Sequence, residues 1–172
     1  LLRSVTASDQ APWTIALNDS GKKASSASIS NRVNRGEQVL AVDVIFICDA
    51  APPPYYFPMY DRMLATEGSR SLGIEVGQLI AIASWLKARS DRGSGNLEAT
   101  GMRSQAVASV ASALDPGSFS NVSIRDGLHS WSEVFSRPVR YQDAPELFCL
   151  DLYRRFDLAY LQSMAGPVNY IN

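Results

Sequence analysis

The chain has 172 residues, 46% hydrophobic and 19% charged, which fits the roughly 100–200 residues of one globular domain. Its 16 basic and 17 acidic side chains leave a formal charge of −1 with no run of one sign, so neither a nucleic-acid footprint nor a membrane-binding surface is expected. A single histidine, His129, and two distant cysteines, Cys48 and Cys149, exclude a multi-histidine or zinc site by spacing.

Residues 13–17 (WTIAL) form a short apolar run that favours a strand, and Asn18-Asp19-Ser20-Gly21 follows as a turn-and-cap cluster before a Ser/Ala-rich helix. From Gln38 the run VLAVDVIFIC is almost continuously apolar, as in a strand covered on both faces, with its end expected near Asp43. Residues 50–71 carry Pro52, Pro53, Pro54 and Pro58 among Tyr55, Tyr56, Phe57 and Tyr60, which predicts a long irregular loop with an aromatic cluster. Val76, Leu79, Ile80, Ala83 and Leu86 then sit at helical spacing. A short strand at 96–101 leads to a second amphipathic helix through Val107, Val110, Ala111 and Leu114, stopped by Asp115-Pro116-Gly117. Another strand covers 121–126. A helix opened by Asp143, Pro145 and Glu146 is expected to break near Asp157 and resume to Met164, before a last strand at 168–171.

Strands alternating with helices predict an α/β fold, a three-layer α/β/α sandwich on a mainly parallel five-stranded sheet, with the chain as one domain. No stretch reaches the roughly 18 apolar residues of a membrane span. The start at Leu-Leu-Arg reads as a processed product or a piece of something longer. Both cysteines lie in apolar runs and read as buried free thiols, with a disulfide left open.

In a parallel sheet, ligands bind beyond the carboxyl ends of the strands. The turn Gly101-Met102-Arg103-Ser104-Gln105 stands where a nucleophile elbow, Gly-x-Ser-x-Gly, would stand. Counted from Gly101, the nucleophile position holds Arg103 and the serine falls one residue later; the bland role for Ser104 is a helix N-cap. Arg103 is placed to hold a carboxylate or to pair with a neighbouring loop. Asp126 and His129, three residues apart after the next strand, complete the inventory of a Ser-His-Asp triad with Ser104, although His129 comes early for the hydrolase order. Asp43 stands at the end of an apolar strand, with Asp49 beyond it, where a ribose or Mg²⁺ could be held, but no glycine-rich phosphate loop accompanies them. Tyr55, Tyr56 and Tyr60 could stack on a sugar or pack on the domain.

The stretch Val33-Asn34-Arg35-Gly36 to Asp43, with its VLAVD strand, and the segments SLGIEVGQLIAIASWLKAR, LEATGMRSQAVASVASALDPGSFSNVSIRDGLHSW and APELFCLDLYRRFDLAYLQSMA resemble the C-terminal part of large bacterial acetyl-xylan-esterase-like α/β-hydrolases. The resemblance spans most of residues 15–165. It implies strand order 2-1-3-4-5, a final strand and histidine turn beyond Asn172, and a carbohydrate-ester context with a degenerate elbow. No cofactor is implied.

Two readings follow. In the first the chain is an acetyl-xylan-esterase-type domain, impaired or inactive alone; if active, it uses Ser104 as nucleophile, His129 as base, Asp126 as orienting acid and backbone amides near Met102–Gln105 as oxyanion donors, with Arg103, Tyr55, Tyr56 and Tyr60 binding substrate. In the second it is a non-catalytic structural or carbohydrate-binding module supporting a catalytic domain of a longer parent chain. The expected ligand is an acylated polysaccharide or a small ester, with no nucleic acid and no membrane as partner.

Overall fold

The structure, a computed structural model, describes residues 1–4, 11–53, 56–89 and 93–171. Five strands, β1 (Trp13–Asn18), β2 (Gln38–Ala41), β3 (Gly95–Thr100), β4 (Phe119–Arg125) and β5 (Val168–Ile171), form one sheet in the order β2-β1-β3-β4-β5, with every pairing parallel. This is the order that the resemblance implies. Strand β1 lies between β2 and β3, and all six of its residues are buried. Its alternation sends Trp13, Ile15 and Leu17 into the large core, while Ala16 meets Ile29 and Val39 on the opposite face.

The helices α1 (Ser26–Asn34), α2 (Phe57–Thr66), α3 (Ser71–Arg89) and α4 (Met102–Leu114) precede β4, and the short helices α5 (Glu133–Ser136), α6 (Leu150–Tyr153) and α7 (Leu158–Met164) lie between β4 and β5. Helix α1 covers one face of the sheet through Ile29 and Val33. On the other face α3 buries Leu72, Val76, Leu79, Ala83 and Leu86, a stripe at helical spacing. Truncating Leu79, which is wholly inaccessible, to alanine would cost about 2–5 kcal/mol. Helix α4 is buried from Ser104 through Ser112, and its small residues Ala106, Ala108, Ser109, Ala111 and Ser112 let it pass closely between its neighbours.

Three expectations are corrected. The segment 50–71 is not irregular throughout: α2 occupies Phe57–Thr66. Pro58 falls in its first turn, where the missing N–H costs nothing, so a residue that reads as a breaker opens the helix. The apolar run after Asp143 is not one broken helix but a 3₁₀ turn at Pro145–Phe148 followed by α6 and α7. The break near Asp157 does exist, with the Asp157 carboxylate accepting the Leu158 N–H as the N-cap of α7. Finally, both thiols are free but not both buried: Cys149 is half-buried, and Cys48 is exposed because β2 ends at Ala41 and Cys48 falls in a 3₁₀ turn beyond it.

Candidate functional site

The last residues of three adjacent strands, Asn18, Thr100 and Arg125, lie in register across the carboxyl edge. The connection after β1 leaves over the α1 face, whereas the one after β3 leaves over the α3/α4 face, so the chain parts between them and opens a crevice at the switch point. The main chain extends the ladder one step further. Asp19 N–H donates to the Thr100 carbonyl at 3.0 Å, and Gly101 N–H donates to the Arg125 carbonyl at 2.9 Å.

The sharp strand-to-helix turn falls on Gly101, at φ 98° and ψ 167°, directly before the first residue of α4. It therefore lies two residues before the position obtained by counting the motif. A nucleophile elbow holds its nucleophile in such a strained turn; here that residue has no side chain. The Asp19 carboxylate fills the place, accepting the Ser104 N–H at 2.7 Å and the Arg103 N–H at 3.1 Å. A Cβ on Gly101 would overlap this carboxylate. The negative charge at the helix N-terminus matches the dipole there, and two of the first amides of α4 are already spent.

Ser104 is thus not the N-cap that the sequence suggests; it is the third residue of α4. Its side chain is fully buried, and among the described residues its Oγ has no hydrogen-bond partner. Asp126 is exposed at φ 52°, and His129 is exposed on the same loop, its ring 5.0 Å from that of Tyr170. No hydrogen bond joins Ser104, Asp126 and His129 among the described residues. Gln105 connects α4 to their loop instead: its Oε1 accepts the Leu128 N–H at 2.6 Å, and its Nε2 donates to the Leu128 carbonyl at 2.7 Å and to the Tyr170 hydroxyl at 3.1 Å.

Arg103 points inward. Its Nε pairs with the Glu146 carboxylate, and its second terminal nitrogen donates to the Phe46 carbonyl at 2.9 Å. Glu75 of α3 lies nearby and is fully buried, with neither oxygen partnered among the described residues. Burial, reinforced by the charge of Glu146, pushes the Glu75 carboxyl up to about 9. Burial likewise raises Glu146, against the opposing pull of Arg103. One guanidinium therefore faces two carboxyl groups, and Glu75 keeps its proton at neutral pH.

Lys22 joins the two aspartates of the β2 loop: its Nζ is 3.0 Å from Asp43 Oδ2 and 2.8 Å from Asp49 Oδ2, and its N–H donates to Asp43 Oδ1. The lysine balances one of their two charges: Asp43 is buried against it, whereas Asp49 is exposed. Beside them, a largely apolar cleft of about 570 Å³ runs between the Ile45–Pro52 loop and α2, lined by Phe46, Tyr60, Met63 and Leu64. Of the aromatic residues singled out in the sequence, Tyr60 lines this cleft, Tyr56 is exposed at the start of α2, and Tyr55 lies outside the described residues.

Sequence reasoning missed Asp19 as an element of the site because its turn reads as a local cap, whereas its partners are more than eighty residues away. Glu75 did leave a signal: it falls between Leu72 and Val76 on the apolar stripe of α3, where an unpaired charge is costly.

No family model matches the chain, and no curated protein matches it. Among solved structures, a probable hydrolytic enzyme from Pseudomonas aeruginosa PAO1 superposes with a TM-score of 0.52 at 14% identity, over 80% of this chain and 39% of that one. A carboxylesterase of the ammonia-oxidizing thaumarchaeon Nitrososphaera gargenis gives a TM-score of 0.51 at 11% identity, over 78% of this chain and 50% of that one. The chain thus spans half or less of the length of these structures. Identities this low speak for the fold alone, and together with the strand order they make this an α/β-hydrolase-like fold.

Proposed function

We propose that the chain is an α/β-hydrolase-like module, acetyl-xylan-esterase-like in sequence, that binds an acylated saccharide or small ester without cleaving it at its own elbow. The observation that carries this reading is the pairing of Gly101 with Asp19. The turn that should present a nucleophile has no side chain, and a carboxylate stands on the helix terminus where an oxyanion would be received. The apolar cleft beside Phe46 and Tyr60 suits an acyl group, and cleavage then belongs to a catalytic domain of a longer chain. Hydrolysis by Ser104, His129 and Asp126 is the competing reading, and it requires the Ser104 hydroxyl to leave the interior.

Turnover of a short-acyl nitrophenyl ester by the wild-type chain and by Ser104→Ala, with fluorophosphonate labelling of both, tests the proposal. Equal background rates and no labelled serine are expected. Turnover that disappears in Ser104→Ala, or label on Ser104, would overturn it.

A further inference from the structure

A second cavity, of about 390 Å³, opens on the α1 face of the carboxyl edge, and its character is opposite to that of the apolar cleft. Its floor is the register row Asn18, Thr100 and Arg125, with Glu98 one step below on β3. Its wall is α1 with the Arg35 that caps it, and Ser28, Asn31, Arg32 and Arg35 line the cavity. These four positions follow the i, i+3, i+4, i+7 spacing of one helical face. Ile29 and Val33 dock the helix on Val39 and Ala16, and Ser28 and Arg32 add polar ties to Glu98 of β3.

The polar groups are organised around Glu98, a carboxylate buried to 3% exposure. It accepts from Ser28 Oγ at 2.9 Å, from Arg32 Nε at 2.8 Å and from Arg125 Nε at 3.3 Å. Burial alone would raise its pKa, but the hydrogen bonds from Ser28 and Arg32 hold it below the ordinary glutamate value, so it is anionic. Glu37 takes Arg32 at 2.8 Å and Arg35 at 3.1 Å. Three guanidinium groups thus face two carboxylates, leaving one positive charge in excess. The bonds to Glu98 use the Nε of Arg32 and of Arg125, so the terminal nitrogens of Arg125, which lines the cavity, have no partner among the described residues. The Asn18 amide nitrogen and the Thr100 hydroxyl are likewise unspent among the described residues.

We infer that this cavity is a binding site for a small, hydroxyl-bearing anion, with its oxyanion on Arg125 and its hydroxyls on Asn18, Asn31 and Thr100. A guanidinium fixed at Nε presents its remaining donors in the fork that carboxylates and phosphates accept. The volume suits a ligand of monosaccharide size. Neither Gly101 nor the apolar cleft takes part, so the site stands whatever becomes of the elbow.

Calorimetric titration of the full chain with glucuronate, glucose 6-phosphate and glucose tests the assignment, since the three share a ring and differ in charge. Binding of one or both acids, with glucose weaker by about tenfold or more, is expected; the tighter acid identifies the oxyanion. Arg125→Gln and, separately, Arg35→Ala, both at exposed side chains, should weaken the acid by about tenfold and severalfold respectively, with each variant still folded by circular dichroism. Glucose binding as well as the acids, binding of none of the three, or undiminished acid binding in a folded Arg125→Gln would overturn it.

Discussion

Asp19 and Gly101 are mutually exclusive as side chains: the carboxylate of the first occupies the space that any Cβ on the second would need. Each is the first residue after one of two adjacent strands, β1 and β3, and Asp19 also binds the first turn of α4 through two backbone amides. Asp19→Gly should therefore destabilise the fold by about 1–2 kcal/mol, near the value of a lost helix cap. Gly101→Ala should cost more, about 1–3 kcal/mol of backbone strain plus the overlap. In Gly101→Ala/Asp19→Gly the overlap disappears, so the two losses should fall short of additive by about 1 kcal/mol. Urea unfolding of the four proteins measures the cycle, and strict additivity would refute the steric coupling.

Glu75 predicts a pH dependence. Its carboxyl titrates near 4.5 in an unfolded chain and near 9 in the fold, so between these values the folded state holds a proton that the unfolded state has released. The resulting stability is complete below about pH 4.5, declines as pH rises, and is gone once pH passes about 9, with a slope of at most about 1.4 kcal/mol per unit. Glu75→Gln keeps the neutral form at every pH. Its melting temperature relative to wild type should rise steadily from about pH 5 to about pH 9; a constant difference would show that Glu75 is not protonated in the fold.

Gln105 ties α4 to the loop that carries Asp126 and His129. Gln105→Leu would leave both the N–H and the carbonyl of Leu128 unpaired in the interior, a loss of about 2–5 kcal/mol. Hydrogen exchange should localise the damage, with Leu128 and His129 amides losing protection before those of β4. Uniform loss across the sheet would mean that the amide contributes packing alone.

The two thiols should separate kinetically. Burial pushes the Cys149 thiol up to about 11, whereas Cys48 is exposed. At about pH 8 only a minute fraction of Cys149 is thiolate, so iodoacetamide should modify one equivalent quickly and the second slower by at least about tenfold. Cys48→Ser should abolish the fast phase; a fast phase that survives would place it on Cys149.

The sheet and its buried helices were legible because their signals are local and periodic. The apolar run of β1 and the Leu72–Leu86 stripe of α3 state which faces are buried without reference to anything distant. Helix α2 was hidden by composition, since four prolines in one segment outweigh the single fact that Pro58 falls in a first turn. The site was less legible for a different reason. What decides it is the meeting of Asp19 with Gly101 and of Arg103 with Glu146, contacts between segments separated by scores of residues, and no local pattern records which chain segments meet. The sequence did single out Gly101 and Arg103 as a disturbed elbow, but counting along the motif could not tell which residue would bear the turn.

Among the described residues, three with side chains, Phe46, Cys48 and Asp126, adopt positive φ angles of 70°, 40° and 52° in the loops that follow β2 and β4 at the carboxyl edge of the sheet. Glycine would take these conformations at less cost. Each position therefore gives up stability to keep a side chain: a ring against Phe57, a thiol over Gly21, a carboxylate in solvent. Replacing Asp126 by glycine should make the protein harder to unfold, and the rim of this sheet is the part of the molecule where robustness has been given up for chemical character.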